Sequence, residues 1–356
     1  PVPARMAALH RWSFDPAEFL WALKPMGGEW AFTMPYLLGG EAAARLFNWS
    51  LMALLCWLLY AWLRALLPPL LAGLLTAAFA SLPVSLQMAS ALRPENVAAL
   101  LFAAAIYFAN RNLAGGAVAA GCAAALLTGV SAATALGALG FAALLALAAC
   151  LAAEWPMLLR GAPLALVPGA LPYLTAWQAT GNPVFPHLNQ YFRSQLVDSS
   201  APLAIPGALE PLSLTGWFDL TFHTARFLPG LNGGFGLVLF LFAPLCLGAL
   251  RLDWPRAAFI ALACWAFGLP LLGWAGGRAE SAFIAAPALV MTMGFMLASL
   301  RQGGGLLPRA SVAALAAAVC LQLYLTPAAR PEHRGFALNQ VFRPASVGEY
   351  LARPAP

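Results

Sequence analysis

The feature that most constrains this chain is a succession of apolar blocks separated by short polar turns. Each block is roughly 17–22 residues long, the length that an α-helix needs to cross a bilayer core of about 30 Å. Helices suit this role because they satisfy their own backbone hydrogen bonds where no water is present. The blocks predict about ten spans, at residues 48–64, 68–88, 96–109, 113–131, 135–153, 162–178, 233–250, 256–274, 282–300 and 309–327.

The composition excludes an ordinary water-soluble domain. Hydrophobic residues make up 62% of the 356 residues and charged residues only 9%, whereas a soluble domain carries about 25% charged residues. Ala and Leu dominate the apolar blocks, and both form helices readily. The predicted fold class is therefore an all-α integral membrane protein, a polytopic helical bundle.

The polar segments divide the predicted bundle. Residues 1–44 are predicted to form a first extracytoplasmic loop with interfacial helices, because Trp12, Trp21 and Trp30 recur there among other aromatic side chains. Residues 45–178 form a first transmembrane bundle, 179–232 a large extracytoplasmic loop and 233–327 a second transmembrane bundle. Residues 328–356 are predicted to be an extracytoplasmic tail that leads to a missing C-terminal region.

The distribution of charge predicts the orientation. If residues 1–44 lie outside the cytoplasm, seven arginines fall in the short loops of the opposite face, with only Glu154 and Asp253 beside them. Arg-rich short loops are typical of the cytoplasmic side. Eleven of the thirteen carboxylates and all four histidines then lie on the outer face. Long loops collect polar residues in any case, but the alternative interpretation is a catalytic face at the periplasmic side of a bacterial inner membrane.

Several other classes of function find no support in the sequence. The net charge is +6, but the basic residues are scattered and no run of them indicates nucleic-acid binding. The six cysteines all lie in apolar blocks without CxxC spacing, which is typical of buried small side chains. Asp219 and His223 could share a helical face, but no third ligand is predictable, so no metal site is predicted and the use of a divalent metal stays open.

Two short motifs resemble a known superfamily. The first combines Lys24-Pro25 and Glu29-Trp30 with the stretch Leu37–Leu46, which reads LLGGEAAARL, and the second is Thr180–Pro186, TGNPVFP, followed by Asn189. Together they resemble polyprenyl-phosphate-dependent glycosyltransferases of the GT-C superfamily, of the bacterial ArnT-like and protein-mannosyltransferase-like kind. One departure is Met26, where that family usually has a second proline.

The resemblance implies a fold, an activity and partners. The implied enzyme is a membrane glycosyltransferase that moves a hexosyl or pentosyl group from a polyprenyl-phosphate donor to a glycan, lipid or protein acceptor. The active site is expected in the first extracytoplasmic loop. The family's catalytic acid follows a first span, so the chain, which begins at Pro1, is expected to be a fragment lacking that span and the C-terminal domain. Within the chain only Asp15 and Glu18 are catalytic candidates.

Candidate substrate-binding residues lie on the predicted outer face. The resemblance makes Lys24 the best candidate for the leaving phosphate, although a lysine at the interface can also simply extend its ammonium into water. Arg93 and Glu95 occupy an outer turn, where a plain ion pair is an equal alternative. Relatives often bind phosphate with an arginine at the start of a late span, as Arg278 is placed. The remaining candidates are Glu29, Asn182, His187, Asn189 and Arg193.

Two other functions compete with glycosyl transfer. An O-antigen ligase or polymerase also has many spans and one large outer loop, so residues 179–232 do not exclude it. A transporter or flippase of lipid-linked saccharide should show repeated halves and broken spans with polar residues at mid-membrane. The apolar blocks show no internal repeat and are almost uniformly Ala, Leu, Val and Phe. The sequence therefore favours the transferase.

Overall fold

The computed structural model describes residues 2–10, 23, 26–111, 170–183, 185, 189–194, 222–223, 234, 236, 279–302 and 306–325. This part of the chain contains helices and turns and no β-strand, as the predicted fold class requires. Its helices are α1 (Val2–Leu9), α2 (Gly27–Leu66), α3 (Pro69–Ala80), α4 (Pro83–Ser90), α5 (Pro94–Arg111), α6 (170–180), α7 (Asn189–Phe192), α8 (Ala279–Gln302) and α9 (Leu306–Leu325).

Helix α2 contains two segments joined at a kink. Its 40 residues would extend about 60 Å at 1.5 Å per residue, twice the thickness of a bilayer core. Gly39 and Gly40 leave helical geometry, and Gly40 has a φ of +67° that favours glycine. The kink therefore separates residues 27–38, predicted to lie in the outer loop, from the segment that contains the predicted span 48–64.

The predicted span 68–88 is not one straight helix. Helices α3 and α4 meet at an angle of 66°, because Leu82 precedes Pro83 and adopts an extended ψ of 132°. By length and apolar character, α2 is the one helix in the described residues that can cross a membrane alone, and the bent α3–α4 pair makes a second candidate.

A continuous apolar core joins α2, α3, α5, α8 and α9. The ring of Trp62 meets those of Tyr107 and Phe295 edge-on, and Phe79 stacks on Phe283 with ring centroids 5.8 Å apart. Gly294 lets α8 approach α2 closely, since a Cβ at this position would collide with Leu63. Small residues at helix contacts serve the same purpose in other membrane bundles.

The helices agree with several predicted spans. Helices α5, α8 and α9 cover 96–109, 282–300 and almost all of 309–327, and α6 covers the end of 162–178. That these helices cross a membrane, and the total of ten, stay predictions. The predicted spans 113–131, 135–153 and 256–274 lie outside the described residues, as does the tail 328–356.

Candidate functional site

Two carboxyl groups from distant parts of the sequence lie in the first turns of α2 and α5, two helices that pack against each other. They belong to Glu29 in α2 and Glu95 in α5. Glu95 is only 8% exposed.

The environment of Glu29 changes its acidity. Burial disfavours its charged form and raises its pKa from 4.5 to about 7; its own backbone N–H opposes this shift, and the charge of Glu95 adds to it. Its Oε2 atom is buried and accepts no hydrogen bond from the described residues. A carboxyl group with this pKa changes its protonation state near neutral pH, as proton transfer requires.

Neighbouring side chains fix the segment that carries Glu29. Thr33 lies one turn further along α2 and is buried. Its hydroxyl donates to the carbonyl oxygen of Glu29 at 2.8 Å and also contacts the sulfur of Met6 at 3.4 Å. Helix α1 is thereby held against the first turns of α2. The ring of Phe32 meets that of Phe47 edge-on at 6.0 Å, which links the two sides of the kink.

The turn between α4 and α5 carries Arg93, precedes Glu95 and is tied to α2. Asn48, which is fully buried, donates through Nδ2 to the carbonyl oxygens of Met88, Ala89 and Ala91 at 2.7, 2.9 and 2.7 Å. The Nδ2 group of Asn96 in turn donates to Oδ1 of Asn48 at 2.8 Å and to its backbone oxygen at 3.0 Å.

An ion pair on the surface of α2 contacts the same turn. The guanidinium of Arg45 bonds Glu41 at 2.6 Å and donates to the carbonyl oxygen of Ser90 at 2.8 Å. Both charged side chains are more than half exposed. The Glu–Arg part of the motif that carries the family resemblance therefore has a structural role here, since it holds the end of α4.

A second group of candidates lies in the loop after α6. Gly181, with a φ of +72°, ends that helix, and the hydroxyl of Thr180 accepts from the backbone N–H of Asn182 at 3.1 Å. Asn189 is buried, and its Oδ1 accepts from the N–H of Ser194 at 2.9 Å. Arg193 is exposed. The loop is shaped by its own hydrogen bonds, and a role of its residues in substrate binding stays a prediction.

The remaining candidates lie outside the described residues: Asp15, Glu18, Lys24, His187 and Arg278. Asp219 lies there as well, whereas His223 is described and exposed. Within the part of the chain that the structure describes, no three His, Cys, Asp or Glu side chains are grouped closely enough to hold a metal ion.

The sequence interpretation missed three buried amides, Asn48, Asn96 and Gln322. Each lies in or next to a predicted span and is at most 3% exposed. A polar side chain within a membrane span is costly and often has a specific partner. That cost was the signal available in the sequence, but it does not identify the partner.

Comparison with known proteins places the fold. No family model and no curated protein matches the sequence. Two solved structures match: ArnT from Cupriavidus metallidurans in the apo state, with a TM-score of 0.57, and the same protein bound to undecaprenyl phosphate, with a TM-score of 0.56. Both are 18% identical in sequence to this chain, and each match covers 83% of it. This chain spans about half the length of the two solved chains, 53% and 54% respectively. The chain thus has an ArnT-like fold, the polytopic helical membrane fold of the GT-C type.

Proposed function

We propose that the protein is a membrane glycosyltransferase that transfers a sugar from a polyprenyl-phosphate-linked donor to an acceptor outside the cytoplasm. The observation that carries this proposal is the ArnT-like fold, one of whose solved examples binds undecaprenyl phosphate. The motifs around Lys24 and Glu41 support it from the sequence. The acceptor class, a glycan, lipid or protein, and the nature of the sugar follow only from the resemblance.

Glu29 suits the proton transfer that this reaction needs. The acceptor oxygen attacks the anomeric carbon of the sugar, the bond from that carbon to the phosphate oxygen breaks, and the acceptor loses its proton. Glu29, with a pKa of about 7, can take that proton near neutral pH. Polyprenyl phosphate leaves with the bonding electron pair, and Lys24 and Arg93 are the cations proposed to stabilise it.

The surface of α2 suits a lipid donor. Leu46, Trp49 and Trp57 lie along this helix and are each more than 60% exposed. Exposed apolar and aromatic side chains are costly in water but favourable against acyl or isoprenoid chains. The lipid tail can therefore remain in the bilayer while its phosphate reaches the end of the bundle that carries Glu29 and Glu95.

The alternative function is transport of a lipid-linked saccharide. The bend of 66° between α3 and α4 is one feature that broken-helix transporters share, and the apolar sequence of 68–88 did not predict it. In that case the protein would move the donor across the bilayer and would not cleave the bond between sugar and phosphate. The ArnT-like fold supports the transferase over both transport and the O-antigen ligase class.

The proposal is tested by replacing Glu29. Purified protein in detergent is incubated with a polyprenyl-phosphate sugar and acceptor lipid, and transfer is followed by mass spectrometry. Glu29→Gln keeps the size of the side chain but removes the base, so the rate of transfer should fall on the order of 10²–10³-fold. Glu41→Gln is the matched control, because Glu41 is on the same helix but exposed. It should stay within a few-fold of the unmodified protein.

Two results would contradict the proposal. Full activity of Glu29→Gln would move the proton acceptor to another residue, such as Asp15 or Glu18. Movement of the intact donor across vesicle membranes, with no cleavage by the unmodified protein, would favour the transporter.

A further inference from the structure

Side chains of α2 supply the hydrogen bonds that the end of α4 lacks. The last carbonyl groups of a helix have no partner within the helix. Here Nδ2 of Asn48 donates to the carbonyl oxygens of residues 88, 89 and 91 at 2.7–2.9 Å. The guanidinium of Arg45 donates to the carbonyl oxygen of Ser90 at 2.8 Å. Four consecutive carbonyl groups at the end of α4 therefore bond two side chains that lie one turn apart on α2.

The orientation of the Asn48 amide follows from its surroundings. A reversed amide would place Oδ1 against carbonyl oxygens, which offer it no donor. In the orientation observed, Oδ1 accepts from Nδ2 of Asn96 at 2.8 Å, and the same Nδ2 group donates to the backbone oxygen of Asn48 at 3.0 Å. Both residues are fully buried, so little water competes for these bonds.

The backbone of Arg93 is bonded on both sides to this pair of amides. Its N–H donates to the carbonyl oxygen of Ala91 at 2.9 Å, the same oxygen that Asn48 bonds. Its carbonyl oxygen accepts from the backbone N–H of Asn96 at 3.4 Å, and the side chain of Asn96 bonds Asn48. Hydrogen bonds thus lead from Asn48 to Arg93 by two routes, one through the end of α4 and one through the start of α5.

We propose that Asn48 and Asn96 are positioning residues for Arg93, and that they set where its guanidinium can meet the phosphate of the lipid donor. This inference rests on the proposed function, which assigns Arg93 to that phosphate. The two amides are fully buried and act through the backbone, whereas Arg93 is only half-buried. A side chain that binds one group in one place needs support of this kind from the residues behind it.

The experiment compares two ligands that differ only in charge. Dissociation constants are measured for the full chain in detergent, with a polyprenyl phosphate and with the uncharged polyprenol of the same length. The phosphate preference is the ratio by which the phosphate binds more tightly than the alcohol. Arg93→Met removes a charge-assisted hydrogen bond and should lower this preference on the order of tenfold.

Asn48→Leu should lower the phosphate preference by a similar factor while leaving the Arg93 side chain in the protein. The double variant, Asn48→Leu with Arg93→Met, should show no further decrease, because a positioning residue has no effect once the residue that it positions is gone. Asn96→Ala keeps the bonds from Asn48 to α4 and serves if Asn48→Leu does not fold. It should lower the preference by less, and also only when Arg93 is present.

Gln322→Met is the matched control for a general loss of stability. Gln322 is a buried amide whose Nε2 group donates to the carbonyl oxygen of Ala78 at 2.9 Å and to Oγ of Ser81 at 2.7 Å, away from the turn that carries Arg93. Its replacement should lower the unfolding temperature about as much as Asn48→Leu does and leave the phosphate preference unchanged.

Four results would overturn the positioning role. They are an unchanged preference in Arg93→Met, an unchanged preference in both asparagine variants, an additive decrease in the double variant, and an equal decrease in Gln322→Met. The proposed function fails separately. If the unmodified protein shows the expected pattern of binding but transfers no sugar, the function is wrong and the positioning role holds. If it transfers sugar but the asparagine and Arg93 effects add, the function holds and the positioning role is wrong.

Discussion

Two of the polar clusters at helix ends in the described part of the chain differ in charge. The Asn48 cluster, made of Glu29, Asn48, Glu95 and Asn96, joins α2 to the α4–α5 turn. The helix-break cluster, made of Ser81, Ser85, Gly234, Gly236 and Gln322, joins α9 to the bend between α3 and α4. Both clusters supply hydrogen bonds to helix ends, but only the Asn48 cluster contains ionisable groups.

The difference distinguishes a structural polar site from the site for which we propose a function. At the helix break, neutral donors bond neutral acceptors. The Oγ hydroxyl of Ser85 donates to the carbonyl oxygen of Phe79 at 2.7 Å, and the backbone N–H of Val84 donates to the carbonyl oxygen of Gly234 at 3.0 Å. In the Asn48 cluster, the carboxyl groups of Glu29 and Glu95 are both partly or wholly removed from water. Burial disfavours the charged form of Glu29 and raises its pKa, and such a cost in stability is expected where the chemistry needs a perturbed pKa.

The largest expected effect concerns Lys24, which the sequence assigns to the same end of the bundle. Lys24→Met keeps the apolar stem and removes the charge that we propose stabilises the departing phosphate. Transfer should fall by on the order of 10²–10³, and Lys24→Arg should recover only part of it, because a planar guanidinium replaces a compact ammonium. Rates are measured with a polyprenyl-phosphate sugar. Normal activity of Lys24→Met would show that the proposed site around the Asn48 cluster does not include this residue.

The pH dependence follows from the raised pKa of Glu29. The carboxyl must be ionised to accept a proton, so the rate should fall about tenfold for each pH unit below 7. The free energy of unfolding should change in the opposite direction. Between pH 4.5 and about 7 the folded state keeps the proton on Glu29, whereas the unfolded state has released it. The protein should therefore become less stable as the pH rises from 4.5 to about 7, and its stability should then level off.

Measurements of activity and of thermal unfolding across this pH range test the predicted changes in rate and in stability that depend on Glu29. Glu29→Gln should remove the part of the stability change that depends on this group. If that variant keeps the whole stability trend, the ionisation responsible lies elsewhere, and the contrast between the two clusters weakens.

A substitution in the helix-break cluster should lower the stability of the protein and leave its activity unchanged. Gly236 has a φ of +63°, and a Cβ added there would collide with Oε1 of Gln322. Gly236→Ala should therefore destabilise the protein by about 1–3 kcal/mol, seen as a lower unfolding temperature in detergent. Its pH–rate profile should match that of the unmodified protein. A shifted profile would mean that the bend also sets the geometry of the Asn48 cluster.

The smallest effect is expected at the exposed ion pair beside the Asn48 cluster. Arg45→Met removes the bond to Glu41 and the contact with the carbonyl oxygen of Ser90. Exposed pairs of this kind contribute about 0–1 kcal/mol, so the unfolding temperature should fall slightly and transfer should stay within a few-fold. A large loss of activity would show that the proposed site depends on the surface contacts of this turn.

Several elements of the fold could be predicted because they depend on local sequence. Span length and hydropathy are properties of contiguous residues, so α5, α8 and α9 lie where the apolar blocks predicted helices. The bend at Leu82–Pro83 was missed although the proline is visible, because a proline can also be accommodated within a membrane helix. Which outcome occurs depends on the partners that satisfy the freed backbone groups. Here these include Gly234 and Gln322, far away in the sequence.

The candidate site, like the fold, could be predicted from the sequence only in part. Glu29, Arg93 and Glu95 could be selected from the sequence because charges at membrane boundaries are few and the family resemblance marks the first loop. Their roles in a reaction stay proposals. That Asn48 ties α2 to the end of α4 and to Asn96 could not be inferred, because pairing of side chains on separate helices depends on how the helices pack.

The sequence by itself determined the class of this protein, since a chain with so few charges and such long apolar blocks can bury its backbone only as helices in a membrane. The tertiary structure decided what happens at the ends of those helices. It kinked α2 at Gly39 and Gly40, bent α3 against α4 and joined α2 to the α4–α5 turn through Asn48. The physical reason is that hydropathy acts residue by residue, whereas a buried hydrogen bond or a shifted pKa exists only between groups that the fold has placed side by side.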